Sequence, residues 1–344
     1  MSFKPILLAT ALLAAAVHSA PAMAQDIQAT QLSFDAYLQL LIARARAEGV
    51  SEATIRRMTG DLTANERVIQ LDRSQPGSSS GSGYPPLAPY ISRHVDAARI
   101  GGGRDIYRNY RPTLQRIEGE YGVPGEIVLA IFGHETAYGR VKGGFDLARS
   151  LATLAWEGRR RELFAGEFVA LLKVADKGYP RSTLVGSWAG AFGNPQFLPS
   201  TYLRLARDGD GDGRADIFNN RADTFASIAH YFQDAGWRRG QPWGVRAYLP
   251  TDFDVDAYKT KLRAPVCPRV HERHSQWKTV GEWRKLGVQP QRPLDEAVMA
   301  SLFQPDGPGT PAWLLTTNYR VILEYNCSNY YAMSVGILAD EIAR

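Results

Sequence analysis

The segment from Ile127 to Glu135 constrains the fold of this chain more than any other feature. Val128, Ile131 and Phe132 lie at helical spacing on the face that also carries Glu135, and the residues between them are almost all apolar. This pattern predicts a buried helix with a carboxyl group at the end of its apolar stripe.

A carboxylate in that position is costly to ionise, because an apolar environment disfavours its charged form, and we expect its pKa to rise. A carboxyl group with a raised pKa can hold a proton near neutral pH and deliver it to a leaving oxygen. The alternative is an ordinary glutamate at a helix end, exposed to solvent or paired with Arg140. Periodicity by itself favours the ordinary glutamate.

Helical periodicity dominates the first two thirds of the chain. Helices are predicted over residues 34–47 and 107–121, the second ending at the stop signal Gly122, whereas Gly101-Gly102-Gly103 is expected to interrupt a helix. Residues 248–262 contain an Asp-Phe-Asp-Val-Asp alternation that is typical of short strands. A closing helix is predicted near residues 330–343. We therefore expect an α+β fold, mainly helical with a minor β part.

The first residues have the pattern of a secretory signal. Lys4 provides a positive start, residues 6–17 form an apolar run, and Ala22-Met23-Ala24 supplies the small residues of a cleavage site. The run is too short to span a bilayer, and no cysteine follows the cleavage site to carry a lipid anchor. We expect a soluble protein that is exported to the periplasm and cleaved near Ala24.

Composition excludes few classes of function. With 44% hydrophobic and 22% charged residues, the chain resembles an ordinary globular protein. Its formal net charge of +5 is too small to indicate nucleic-acid binding, although it would favour an anionic partner.

An Asp-Gly run at residues 208–219 follows the pattern of an EF-hand loop. Aspartates occupy loop positions 1, 3, 5 and 9, and Gly213 stands at position 6, where a sharp turn is needed. Position 12 is Asn219 instead of the usual bidentate glutamate, and Mg²⁺ or Na⁺ are alternative occupants. The other alternative is a solvated acidic turn. We predict a structural Ca²⁺ site whose ligands are Asp208, Asp210, Asp212, the carbonyl of Arg214, Asp216 and Asn219.

The chain has two cysteines, Cys267 and Cys327. In an oxidising compartment they could form a disulfide that ties a loop to the last helical region. The alternative is a pair of unlinked small hydrophobic residues.

The motifs around Glu135 resemble the lytic murein transglycosylase B family. The resemblance begins at the YGVP motif of residues 121–124 and continues through the IFGHETAYGR motif of residues 131–140. It extends to GSWAGAFG at 186–193, QFLPS at 196–200, the Asp-Gly run and the tail around Tyr325-Asn326, and so covers nearly all of the exported chain. It implies a lysozyme-like α+β fold.

The resemblance also implies an activity. This family cleaves the β-1,4 bond between N-acetylmuramic acid (MurNAc) and N-acetylglucosamine (GlcNAc) and leaves a 1,6-anhydro-MurNAc end. Glu135 would act first as the acid and then as the base, with the C6 hydroxyl attacking in place of water. His134 stands where the family often has a small apolar residue, and we expect it to be packed and hydrogen-bonded.

Other roles come from the resemblance position by position. Ser187 and Gln196 match residues that line the cleft and bind sugar, and Tyr325 and Asn326 match residues near the glutamate. Arg159 and Arg160 match an arginine pair suited to a lactyl or peptide carboxylate. The alternative for the pair is a solvated basic helix start.

We predict four segments along the chain. They are a signal peptide at 1–24, an N-terminal helical region at 25–106 with a Gly/Ser/Pro-rich loop at 74–89, a lysozyme-like catalytic domain at 107–245, and a C-terminal region at 246–344 that packs back on it.

We expect the protein to be a monomer whose partner is peptidoglycan glycan strands. We expect it neither to bind nucleic acid nor to carry a membrane anchor. A lysozyme-like hydrolase and a non-catalytic wall-binding protein are the alternative functions. A calcium-dependent adhesion protein would rest on the Asp-Gly run alone. The sequence leaves open whether cleavage occurs inside strands or at their ends.

Overall fold

A computed structural model of the chain describes residues 32–75, 85–261 and 263–344. The predicted signal peptide and most of the Gly/Ser/Pro-rich loop lie outside these residues. Within them, no helix has the length and apolar character needed to cross a membrane.

Helices make up most of the described chain before residue 240, and polar side chains start several of them. Ser33, Ser51 and Asn65 each accept a hydrogen bond from a backbone N–H in the first turn of the helix that follows. The helices are α1 (Phe34–Ala47), α2 (Glu52–Thr59), α3 (Glu66–Arg73), α4 (Leu87–His94), α5 (Ala97–Asn109), α6 (Arg111–Tyr121), α7 (Gly125–Thr136), α8 (Leu147–Glu157), α9 (Arg161–Asp176), α10 (Pro199–Leu205) and α11 (Arg221–Asp234).

The remaining third combines a sheet with four helices. Its strands are β3 (Gly244–Tyr248), β4 (Trp277–Thr279), β5 (Gln289–Pro290), β6 (Met299–Phe303) and β7 (Ala312–Thr316), and its helices are α12 (Pro268–His271), α13 (Val280–Lys285), α14 (Thr317–Tyr325) and α15 (Asn329–Ala343). The strands form an antiparallel sheet with the order β4-β6-β7-β3-β5. A separate antiparallel pair, β1 (Phe145–Asp146) with β2 (Val185–Gly186), lies within the helical part of the chain. The predicted α+β class and the closing helix are confirmed.

Helix α7 is buried on nearly every side, as its apolar pattern predicts. Val128, Leu129, Ala130 and Ile131 have no exposed surface, and α7 packs against α5, α11 and α15. The helix ends where Ala137 and Tyr138 adopt positive φ angles of 48° and 62°. Glu135 therefore lies in the last turn, at the edge of the core.

Two local predictions are wrong. Gly101-Gly102-Gly103 does not interrupt a helix but lies inside α5. A Cβ atom on Gly103 would lie 2.5 Å from Ile342 Cδ1, so the close contact between α5 and α15 requires glycine there. The alternating residues after Tyr248 form no strand, because the Asp254 carboxylate accepts hydrogen bonds from the N–H groups of Asp256 and Ala257 and starts a 3₁₀ turn.

Three apolar cores hold the described residues together. The first surrounds α7 and includes α11, α14 and α15. The second joins α1–α3 to α8, α9 and the region around Phe192. The third lies under the five-stranded sheet around Trp283 and Leu314. The first and second cores both contain residues from before and after the predicted boundary at residue 106. The division into the four predicted segments remains a proposal.

Candidate active site

The carboxyl group of Glu135 has one hydrogen-bonding partner within the described part of the chain. The Tyr331 hydroxyl donates to Glu135 Oε1 at 2.5 Å. Burial raises the pKa of Glu135 to about 7, and the hydrogen bond from Tyr331 acts in the opposite direction. The geometry thus supports the carboxyl group with a raised pKa that the apolar stripe predicts.

Three tyrosines surround this carboxyl group. Tyr331 comes from α15, Tyr325 is the last residue of α14, and Tyr90 belongs to α4. Burial raises the pKa of Tyr325 and of Tyr331 well above the usual range, and the Glu135 carboxylate raises both further. Burial also raises the pKa of Tyr90, with a smaller contribution from Glu135. These phenols therefore stay protonated near neutral pH.

Tyr331 and Tyr90 were not among the predicted site residues. Tyr331 lies 196 positions beyond Glu135 in the chain, and no local spacing connects the two. Its position shortly after Tyr325-Asn326, in the tail that resembles the family, is the signal that could have identified it.

Ser187 and Gln196 lie on one loop that follows β2. The Ser187 hydroxyl oxygen accepts from the Ala191 N–H at 2.9 Å, which leaves its hydrogen available to a ligand. Gln196 has a positive φ of 52°, and its side-chain amide donates to the Gly193 carbonyl at 2.8 Å. Both side chains are thus held in fixed positions by their own loop.

Two contacts join this loop to the helices around Glu135. The Thr136 hydroxyl, at the end of α7, donates to the Asn194 carbonyl at 3.1 Å. The Tyr325 hydroxyl donates to the Pro195 carbonyl at 2.5 Å. The loop with Ser187 and Gln196 is therefore attached to α7 and α14.

Arg159 and Arg160 are both bound to Asp72, near the end of α3. Arg160 Nη2 lies 2.7 Å from Asp72 Oδ1, and Arg159 Nη1 lies 3.5 Å from Asp72 Oδ2. Asp72 is 1% exposed, whereas the two arginine side chains are 40% and 46% exposed. The structure thus gives the arginine pair a buried counter-ion that was missed among the site residues.

Cys267 and Cys327 form a disulfide whose Cα atoms are 5.4 Å apart. Cys327 follows the exposed Asn326 in the connection between α14 and α15. Asn329, the first residue of α15, donates to the Val270 carbonyl at 3.0 Å. The bond and this contact fasten α12 to the segment that carries Tyr325 and Tyr331.

The Asp-Gly run brings three of its carboxylates together. Single oxygen atoms of Asp208, Asp210 and Asp212 lie within 4.8 Å of one another, and all three residues are exposed. Oxygen atoms from several carboxylates are the donor set that Ca²⁺ prefers. The Asp216 carboxylate instead caps the turn that follows, accepting from the N–H groups of Phe218 and Asn219. The residues present fit a hard cation, with Asp208, Asp210 and Asp212 as the group that would hold it.

A buried carboxylate that was not predicted anchors the run. Asp223, at the start of α11, accepts from the N–H of Gly209 at 2.7 Å and from that of Asp216 at 2.6 Å. The Tyr179 and Tyr202 hydroxyls both donate to the Ala215 carbonyl. The run is therefore fixed to the helical core from two directions.

Comparison with known proteins identifies the family of this chain. The family described as "Transglycosylase SLT domain" matches residues 33–340. The membrane-bound lytic murein transglycosylase B of Escherichia coli (strain K12) is 32% identical over 287 residues, which are 81% of this chain and 74% of that protein.

Solved structures give the same result. SltB3 from Pseudomonas aeruginosa, solved in complex with NAG-anhNAM-pentapeptide and with NAG-NAM-pentapeptide, is 36% identical with a TM-score of 0.80, over 90% of this chain and 80% of that one. The Escherichia coli lytic transglycosylase Slt35 in complex with calcium is 28% identical with a TM-score of 0.73, over 89% and 92% of the two chains. The chain therefore belongs to the transglycosylase SLT-domain family, among the lytic transglycosylases of the B type.

Proposed function

We propose that this enzyme is a peptidoglycan lytic transglycosylase in which Glu135 is both the catalytic acid and the catalytic base. The substrate is the β-1,4 bond between MurNAc and GlcNAc in glycan strands, and the product ends in 1,6-anhydro-MurNAc. Membership of the family supports the reaction class, and the ligands of SltB3 support the substrate.

The observation that carries the single-carboxylate mechanism is the isolation of Glu135. A retaining glycosidase places its second carboxyl group about 5–5.5 Å from the first, and an inverting one about 6.5–9.5 Å away. An ionised carboxylate at either distance would raise the pKa of a buried neighbour by repulsion. Burial and Tyr331 account for the Glu135 pKa, and no second carboxylate among the described residues contributes.

The reaction has two proton-transfer steps and consumes no water. Protonated Glu135 gives its proton to the glycosidic oxygen as the bond from that oxygen to C1 of MurNAc breaks. The Glu135 carboxylate then takes the proton of the C6 hydroxyl as its oxygen bonds to C1. Tyr331 donates to Oε1, so Oε2 is the oxygen free to carry the transferred proton in both steps.

The remaining site residues would bind the substrate. The Ser187 hydroxyl and the Gln196 side chain would hydrogen-bond sugar, and Tyr325 and Asn326 would contact it beside Glu135. Arg159 and Arg160, exposed but anchored on Asp72, would bind a carboxylate of the lactyl group or stem peptide with the fork geometry of guanidinium.

Ca²⁺ would bind the Asp-Gly run as a structural ion. The grouped oxygens of Asp208, Asp210 and Asp212 support this assignment. The Arg214 carbonyl, Asp216 and Asn219 would complete the shell if their oxygens turned inward. The ion would hold the loop and take no part in the proton transfers. Export to the periplasm, where the substrate lies, rests on the leader sequence alone.

The test is release of muropeptides from purified sacculi by the wild type and by Glu135→Gln. We expect the substitution to abolish product release, because glutamine cannot transfer a proton. Glu126→Gln is the matched control, since it makes the same change in the first turn of the same helix and should retain activity. Activity in Glu135→Gln comparable to that of the control would contradict the proposal.

A further inference from the structure

His134, the neighbour of Glu135 on α7, has both ring nitrogens engaged inside the protein. Nδ1 lies 2.9 Å from the Ala130 carbonyl oxygen, a contact that requires a hydrogen on Nδ1. Nε2 lies 2.7 Å from Ser334 Oγ. Burial lowers the pKa of His134 to about 4, so the ring is neutral near pH 7. Nε2 then has a lone pair, so Nε2 and the Tyr331 carbonyl oxygen share the single hydrogen of the Ser334 hydroxyl as its two acceptors.

The same serine and the same ring both contact Tyr331. Ser334 lies one turn after Tyr331 on α15, and its Oγ is 2.8 Å from the Tyr331 carbonyl oxygen. The rings of His134 and Tyr331 meet edge to face with centroids 5.6 Å apart. Tyr331 in turn donates to Glu135 Oε1. Two adjacent residues of α7 therefore hold the turn of α15 that carries Tyr331. His134 contacts the Tyr331 ring and bonds to Ser334 in that turn, and Glu135 accepts from the Tyr331 hydroxyl.

Other titratable groups face this pair from the neighbouring helices. The His94 ring of α4 stacks on His134 with centroids 6.1 Å apart. Positive charge on His94 or Arg99 lowers the pKa of His134 and the charge of Asp96 raises it, all less than burial does.

Around Glu135 the facing groups are the phenols of Tyr90, Tyr325 and Tyr331. Among the described residues, the Tyr331 hydrogen bond is the one polar contact that shifts the pKa of Glu135. A residue that fixes Tyr331 would therefore influence how readily Glu135 ionises, alongside the larger effect of burial.

We propose that His134 is a positioning residue: it holds Ser334 and the Tyr331 ring so that the phenol stays aimed at Glu135. The effect on catalysis rests on the function proposed above, whereas the effect on Glu135 itself does not. Without His134, the tyrosine would sample other orientations, and its hydrogen bond to Glu135 would be made only part of the time.

The test is a double-mutant cycle on the pKa of Glu135, measured by carbon NMR of the carboxyl group and therefore independent of product formation. Tyr331→Phe removes a hydrogen bond to a charged group and should raise that pKa by about 1 unit. His134→Val should raise it by at least about half as much in the wild-type background. In the Tyr331→Phe background His134→Val should not raise it, because the contact it supports is already gone.

The cycle separates positioning from packing. Water entering the space left by the imidazole would lower the pKa of Glu135 in both backgrounds, so this effect cancels in the cycle. His134→Gln can still bond to Ser334 and should restore most of the wild-type pKa and of the pH profile of kcat/KM. Equal shifts from His134→Val in both backgrounds, or no difference between His134→Gln and His134→Val, would overturn the inference. Activity in Glu135→Gln would overturn the proposed function and leave this cycle unaffected.

Discussion

At the scale of single residues, the chemistry of Glu135 depends on the balance between burial and one hydrogen bond. Burial disfavours the carboxylate, and the Tyr331 hydroxyl partly offsets that cost by donating to it. The result is a group that is protonated in a substantial fraction of molecules near neutral pH. An exposed glutamate, with an ordinary pKa near 4.3, would hold its proton in well under 1% of molecules at pH 7.

The pKa of about 7 predicts that, as pH rises, the activity of the wild type falls and the stability of Glu135→Gln relative to the wild type increases. Because the acid step needs protonated Glu135, kcat/KM should fall as pH rises through about 7. The folded state binds this proton more tightly than the unfolded state, so its ionisation destabilises the wild type as pH rises between about 4.5 and 7.

Glu135→Gln removes the cost of ionising a buried carboxyl group. It should therefore be more stable than the wild type by about 1–3 kcal/mol above pH 7 and by much less near pH 4. Urea unfolding at both pH values measures the difference. A variant that is less stable than the wild type at pH 8 would contradict the raised pKa.

Removing Arg159 and Arg160 should destabilise the fold, because they neutralise the buried carboxylate of Asp72. The double substitution Arg159→Ala with Arg160→Ala leaves that carboxylate without these partners and should destabilise the fold by about 3 kcal/mol. Adding Asp72→Asn should recover much of the stability without restoring binding to peptide-bearing strands. Recovery of binding together with stability would contradict a role for the arginines in contacting substrate.

At the scale of elements, the Asp-Gly run should respond to Ca²⁺. An ion that binds only the folded state stabilises it by about 2.7 kcal/mol at a hundred times its Kd. We expect Ca²⁺ to raise Tm more than Mg²⁺ or Na⁺ does. Asp210→Asn should remove the effect, whereas the exposed Asp252→Asn should keep it. Equal Tm values with Ca²⁺ and with a chelator would contradict the site.

The disulfide should stabilise the segment that carries Tyr325 and Tyr331. It closes a loop over a sequence separation of 60 residues, and loss of such a bond costs about 2–5 kcal/mol. Cys267→Ser with Cys327→Ser should lower Tm and reduce activity at temperatures where the wild type is still active. A reductant should affect the wild type and leave the double variant unchanged; equal sensitivity would show that the effect of the reductant lies elsewhere.

At the scale of the whole molecule, the sequence predicts what depends on local spacing. The buried helix α7, the closing helix α15 and the α+β class follow from periodicity that one segment carries by itself. The position of Glu135 at the end of an apolar stripe follows in the same way. The roles given to Ser187, Gln196 and the arginine pair come from family resemblance and remain proposals.

What the sequence could not provide depends on contacts between distant segments. The glycine run in α5 looks like an interruption because the reason for it, the close approach of Ile342, lies in another helix. Tyr331 and Asp72 were missed for the same reason, since each meets its partner only after the helices have packed. The alternation around Asp254 is the exception, because a local turn capped by the Asp254 carboxylate forms there instead of the predicted strand.

The central claim is that a lone carboxylate directs intramolecular attack, and the most direct measurement is mass spectrometry of muropeptides released in H₂¹⁸O. Attack by the C6 hydroxyl adds no water, so the account predicts anhydro-MurNAc ends that contain no ¹⁸O. Reducing MurNAc ends carrying ¹⁸O at C1, absent from a Glu135→Gln control, would show that water attacks and would contradict it.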